Sequence, residues 1–266
     1  MAGERLAQAD LSPTVRSLRT ACAAWLLSAV LAGVSALARA QGGPPLVTDD
    51  PDTPGDGRWE INLATIATRT PGRWSLALPD ADLNYGWGDR VQLTAQIPWA
   101  VVQSGDGGWN SGLGNAQLGV KWRFLDRQDL GLTMSTFPQF TWAWVESSKR
   151  RGVADAGHQL LLPLESAVKL DEFALDAEIA RNVVAGAASQ WQFGAIAQHG
   201  CGGGADCMLE LRQRVGGGDT QTLINLGVHW KLGESLALIA AAGGEFGSAS
   251  TDQQQALLYL GVQILR

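Results

Sequence analysis

Apolar residues recur at every second position through most of this chain, and that period restricts its fold more than any other feature. Val91, Leu93, Ala95, Ile97, Trp99 and Val101 alternate with Gln92, Thr94, Gln96 and Pro98. Ala116, Leu118, Val120, Trp122 and Phe124 alternate with Gln117, Gly119, Lys121 and Arg123. Thr222, Ile224, Leu226, Val228 and Trp230 do the same against Asn225, Gly227, His229 and Lys231. Successive strand side chains point to opposite faces, so each stretch has one oily face and one polar or small face. Past residue 41 no apolar run is long enough to cross a membrane as a helix.

Two all-β architectures use such strands. A soluble sandwich turns its oily faces inward, whereas a transmembrane barrel turns them to lipid and keeps the polar faces in its lumen. Twelve stretches are legible, at roughly 58–68, 74–85, 90–102, 113–125, 130–142, 157–169, 173–182, 189–199, 207–215, 221–231, 235–246 and 255–265. Their lengths are close to the roughly 9–11 residues that a tilted membrane strand needs. An even count brings the C-terminus back to the periplasmic side. On that threading the inner links at 86–89, 126–129, 170–172 and 232–234 are short, 200–206 is the longest inner link, and outer links at 103–112, 143–156 and 247–254 are longer.

The same threading sorts the aromatic residues. Trp59, Trp87, Trp122, Phe124, Phe173 and Trp230 fall at periplasmic ends, and Trp74, Trp99, Trp142, Trp191 and Phe246 at outer ends. Amphipathic rings are stable at the two interfaces of a bilayer. The expected fold is therefore all-β, an antiparallel transmembrane β-barrel of about 12 strands over 58–266 with outer-membrane lipid around it. A soluble periplasmic sandwich with Trp as core filler is the structural rival.

Residues 1–40 read as a segment apart. Arg16 and Arg19 precede an apolar run over 21–37, which small residues close at Ala38-Arg39-Ala40. A basic start, a short apolar middle and an A-x-A end form the pattern of a cleaved export signal, and the run is short for the alternative, a membrane anchor. Removing that segment takes the formal net charge from −6 to −8, a balance that excludes a nucleic-acid partner reliant on clustered Lys and Arg. Export to an oxidising compartment fits Cys201 and Cys207, which bracket a Gly-rich turn and read as a disulfide; metal binding by the two thiols is the weaker reading.

The inward faces carry Glu60, Asn62, Asp82, Asn84, Gln92, Gln96, Lys121, Arg123, Asp176, Glu178, Gln190, Gln192, Glu210, Arg212, Arg214, Asn225, His229 and Lys231. Glu60, Asp82, Asn84, Lys121 and Arg123 are the candidates for a solute path. The competing reading has these mixed charges pairing with one another and filling the lumen. Twelve strands lie between small filled barrels and open porins, so a constricted or plugged pore is expected. Trp109, Trp142 and Trp144, on or near outer loops, are candidates for a first contact surface. The Pro/Asp-rich stretch at 41–57 has no strand pattern. Thr48, Asp49 and Asp50 there fit a cation site, a small lumen plug or a turn, and the turn is preferred because Asp and Thr before Pro are turn formers.

Catalytic chemistry finds little support. None of His158, His199 and His229 has a Ser two residues away, and there is no Gly-x-Ser-x-Gly elbow of a lipase-like barrel. The Gly-rich stretch at 215–219 lacks the Lys-Ser/Thr of a phosphate loop. No cofactor motif or metal constellation is evident, and a non-enzymatic barrel is expected.

Several strings resemble a known family. Gly43-Pro44-Pro45-Leu46-Val47-Thr48-Asp49-Asp50-Pro51, Thr53-Pro54-Gly55 and Trp59-Glu60-Ile61-Asn62 are similar to the N-terminus of the outer-membrane transporter family linked to the meta-pathway of phenol degradation. Asp82-Leu83-Asn84-Tyr85-Gly86, Asp89-Arg90-Val91-Gln92-Leu93, Leu118-Gly119-Val120-Lys121-Trp122-Arg123-Phe124, the Gly-His-Gln at 157–159 and Tyr259-Leu260-Gly261 extend the resemblance. It spans most of 42–265 and is most specific up to Phe124. It implies an outer-membrane, porin-like barrel that moves small hydrophobic or aromatic compounds. One departure concerns the barrel-assembly machinery, a partner that in many barrels reads a terminal aromatic residue. This chain ends Ile264-Leu265-Arg266.

Overall fold

The computed structural model describes residues 43–170, 172–248 and 251–266. The export signal expected over 1–40 lies outside the described residues. Fourteen strands follow: β1 Trp59–Thr70, β2 Arg73–Trp87, β3 Val91–Gln103, β4 Trp109–Leu113, β5 Ala116–Arg127, β6 Leu132–Thr136, β7 Gln139–Trp142, β8 Gln159–Leu170, β9 Phe173–Val184, β10 Gln190–Gly202, β11 Ala205–Gly216, β12 Asp219–Lys231, β13 Leu236–Gly247 and β14 Ala256–Leu265. One short helix, α1 Glu146–Arg150, sits between β7 and β8. Every neighbouring pair is antiparallel, and β1 pairs with both β2 and β14, so the sheet closes on itself. Trp59 N donates to Arg266 O at 2.7 Å and Arg266 N to Trp59 O at 2.9 Å, sealing the seam at the end that carries both termini of the barrel.

The fourteen strands make twelve staves, because two expected stretches are broken. The stave expected at 113–125 starts earlier, at Trp109, and is broken into β4 and β5 opposite Pro98, whose ring leaves no ladder N–H to donate. Gly114 N bonds to Pro98 O there at 2.9 Å. The stretch expected at 130–142 splits into β6 and β7 at Phe137-Pro138 for the same reason. Trp109, expected in a loop, opens β4. The far edge of β4 is covered by the α1 loop, where Asn110 donates to Arg151 O at 3.0 Å.

Alternation holds along the staves. Leu93, Leu118, Val120, Leu162, Leu211, Leu226 and Leu260 are exposed on the outside, while Asn62, Asp82, Gln92, Lys121, Glu210 and Asn225 are buried inside. An oily exterior and a polar interior are the inverse of a sandwich and match the membrane type of barrel. Outside aromatic residues gather at both ends. Trp59, Trp87, Trp122, Phe173 and Trp230 are exposed near the terminal end, with Trp99, Trp191 and Phe246 near the loop end. Trp74 and Trp142 are half-buried at the loop end, Trp74 beneath Arg69 and Trp142 stacked on Phe140.

The turn at 200–206 differs from expectation. It is not the longest inner link: β10 and β11 run on until only Gly203 and Gly204 connect them, both at positive φ. Cys201 and Cys207 are bonded across this hairpin with their Cα atoms 5.8 Å apart.

Candidate functional site

The turn reading of 41–57 misses where that stretch goes. Residues 43–54 do turn, with Gly43 N bonding Thr48 O and Leu46 N bonding Gly43 O, both at 2.8 Å, but the hook they form is seated inside the barrel. Of the three roles weighed for Thr48, Asp49 and Asp50, the lumen plug is the one observed. Lys121 Nζ, 2% exposed, donates to Asp49 Oδ1 at 2.9 Å and to the Asp50 carbonyl, and lies 3.8 Å from Glu165 Oε2. Glu165 in turn accepts from Ser135 Oγ. The Phe137 ring, turned inward by the β6–β7 break, lies 4.8 Å from the same ammonium.

The opposite side of the hook meets β10, β11 and β12. Glu210 accepts from Thr48 N at 2.6 Å and from Val47 N at 3.2 Å, and Asn225 Nδ2 holds it at 3.0 Å. Leu46 joins Ala64, Ile196, Met208, Ile239, Ala241 and Tyr259 in an apolar cluster inside the lumen. Two glycines make this fit. A Cβ at Gly194 would collide with the Thr48 side chain, and one at Gly227 would come within 2.8 Å of Leu46 Cδ2.

Among the expected path residues, Glu60, Asp82, Asn84 and Lys121 line one cavity of about 470 Å³ beside the hook. Asp82 accepts from Asn62 and Asn84, each at 3.0 Å, and Asn84 Oδ1 accepts from Gln92 at 2.9 Å and Thr94 at 2.6 Å. Arg123 does not join them. It reaches Asp52 at 3.4 Å and the Asp89 carbonyl at 2.6 Å, tying the base of the hook to the β2–β3 turn. Lys231 stands at the rim, 3.2 Å from Asp206, and His229 is buried against Gln263 at 2.9 Å. Trp109 and Trp144 are exposed at the loop end. Glu165, Ser135 and Phe137 around Lys121, and Gln117, Gln139, Thr141, Gln159 and Asn182 on the cavity wall, are members of this site that sequence reasoning passed over. For Glu165, its alternation with the outward Leu160, Leu162 and Leu164 was the available signal.

The geometry is that of a closed barrel with an oily exterior and an occupied polar lumen. The fold is that of outer-membrane barrels. An outer membrane channel from Pseudomonas putida F1 superposes with a TM-score of 0.64 at 14% identity, over 85% of this chain and 100% of that one. The KdgM porin, also solved in complex with disordered oligogalacturonate, superposes with a TM-score of 0.51 at 10% identity, over 77% of this chain and 98% of that one. No family model matches the chain, and no curated protein matches it by sequence.

Proposed function

We propose that this protein is a passive outer-membrane channel for small hydrophobic or aromatic solutes, exported by cleavage after residue 40 and inserted by the barrel-assembly machinery. In this reading it performs no catalysis and belongs with the transporter family of the phenol meta-pathway that its N-terminal strings resemble. The observation that carries the reading is the cavity of about 470 Å³ left beside the hook, with Leu46, Ile66, Leu257 and Tyr259 among the side chains on its wall inside an otherwise polar lumen. Apolar side chains on the wall of a polar cavity suit a solute with an apolar body. Residues 43–57 are the constriction, and Glu60, Asp82, Asn84 and Lys121 border the path past it.

Liposomes loaded with the purified protein test the proposal. Influx of small neutral aromatic solutes above that of protein-free liposomes is expected, together with heat-modifiable gel mobility and fractionation with outer membranes. Absence of flux for every solute overturns it in favour of a non-transporting structural barrel, the reading favoured by the charge-paired centre around Lys121.

A further inference from the structure

The cavity beside the hook has two unlike walls. Running from β3 to β8, Gln96 pairs with Gln117, Gln117 with Thr141, and Thr141 with Gln159, a row of direct cross-strand neighbours. One level away, Gln139 and Asn182 flank Leu161 on either side. These six polar side chains all line the cavity, and none of them ionises. Across the barrel, on β1 and β14, stand Ile66, Leu257 and Tyr259, with Ile66 directly opposite Tyr259 in the seam.

The row retains hydrogen-bonding capacity. Gln96 Nε2 donates to Asp80 at 2.8 Å and Thr141 donates to Gln117 Oε1 at 3.2 Å. That leaves the Gln117 amide donors, while the carboxamides of Gln139 and Gln159 have no protein partner among the described residues. The Asn182 Oδ1 is buried without one. A carboxamide offers two donors and one acceptor, a fit for hydroxyl and carbonyl groups. A hydrocarbon would leave these groups facing apolar surface, and an ionised group would meet no counter-charge in the row to offset its desolvation. Asp80, Asp82 and Glu178 border the same cavity, as do Lys121 and Arg212, so the charges around it are of both signs and lie outside the row.

We infer that the amide row and the apolar wall facing it form a binding site for a neutral amphipathic solute of single-ring size. Its hydroxyl or carbonyl group is set on Gln117, Gln139 and Gln159, and its ring lies toward Ile66 and Tyr259. The assignment rests on the channel reading for its use, but binding is measurable without flux.

The test is isothermal titration of the protein in lipid nanodiscs, with empty nanodiscs as the blank, using benzyl alcohol, toluene, benzoate and benzylammonium. Benzyl alcohol is expected to bind about fivefold or more tightly than each of the other three, the worth of a neutral hydrogen bond or two. The triple variant Gln117→Leu, Gln139→Leu, Gln159→Leu removes the preference over toluene while heat-modifiable mobility persists. If the triple variant does not fold, Gln139→Met alone reduces that preference at least twofold. Equal affinity for toluene and benzyl alcohol overturns the site, as does a preference that survives these substitutions. Tightest binding of benzylammonium overturns it as well, moving recognition to the carboxylates. Selective binding with no flux into liposomes sinks the channel reading and leaves the site standing; flux without selectivity does the reverse.

Discussion

Two walls of one barrel hold the same stretch of chain by different means. The β5–β8 wall uses charge: Lys121 reaches Asp49 and the Asp50 carbonyl, with Glu165, Ser135 and Phe137 around it. The β10–β12 wall uses shape and backbone bonds: Gly194 and Gly227 open space for Thr48 and Leu46, and Glu210 collects the amides of Val47 and Thr48. The difference is also structural. The charged wall contains both strand breaks, while β10, β11 and β12 run unbroken for 12 or 13 residues each. Irregular strands admit an inward ring at Phe137; regular ones offer a smooth surface that only glycine can hollow.

Four substitutions separate these two grips. Lys121→Met should have the largest effect, because it strands buried carboxylates without a counter-charge, at a cost of about 3–5 kcal/mol. It is read as a lowered unfolding midpoint, faster proteolysis within 43–57 and raised single-channel conductance. Unchanged proteolysis would assign the seat to the β10–β12 wall alone. Glu210→Gln keeps an acceptor but loses its charge, and should weaken the seat by about 2 kcal/mol in the same proteolysis assay. Gly194→Ala should cost about 2 kcal/mol, because Thr48 is fully buried and the added Cβ would meet all three of its side-chain atoms under 3 Å. Its effect should shrink when Thr48 is also reduced to Ala, which removes the two nearest atoms and leaves the Thr48 Cβ at 2.9 Å, a coupling that a double-mutant cycle measures.

Asp50→Asn should change least. Burial lifts the Asp50 carboxyl well above the usual carboxylate range, with the Lys121 charge pulling it back only in part. A carboxyl raised in the seated state favours that state when protonated, and this contribution is lost as pH rises through its raised range. An amide stays neutral, so the variant should hold its seat within about 0.5 kcal/mol of the parent at low pH. It should also lose the part of the pH dependence of 43–57 proteolysis that Asp50 supplies. Persistence of the full pH dependence in the variant would break this assignment.

Much of the barrel was legible because its signals are local. Period two gives the face of each residue, so Asp82, Gln92, Lys121 and Glu210 could be placed inside one residue at a time. The strand breaks were harder, since Pro98 acts on Gly114 across the sheet and not on its own neighbours. The hook was harder still. Thr48-Asp49-Asp50-Pro51 does form a turn, as its residue types dictate, but the groups that hold it inside are 71 positions away at Lys121 and 162 away at Glu210. The amide row shows the same limit: alternation turns Gln117 and Gln159 inward, and only the register sets them side by side.

The seam between β1 and β14 imposes an order on assembly. Those strands stand at opposite ends of the barrel sequence, so their pairing has the longest contact separation of any ladder and must await every stave between them. The hook directly precedes β1, and its anchors lie on β5 and β11. A barrel that zips shut before the hook is inside would have to thread it through a finished ring. Seating before or during closure avoids that, which makes the plug an internal mould around which the last two strands are joined.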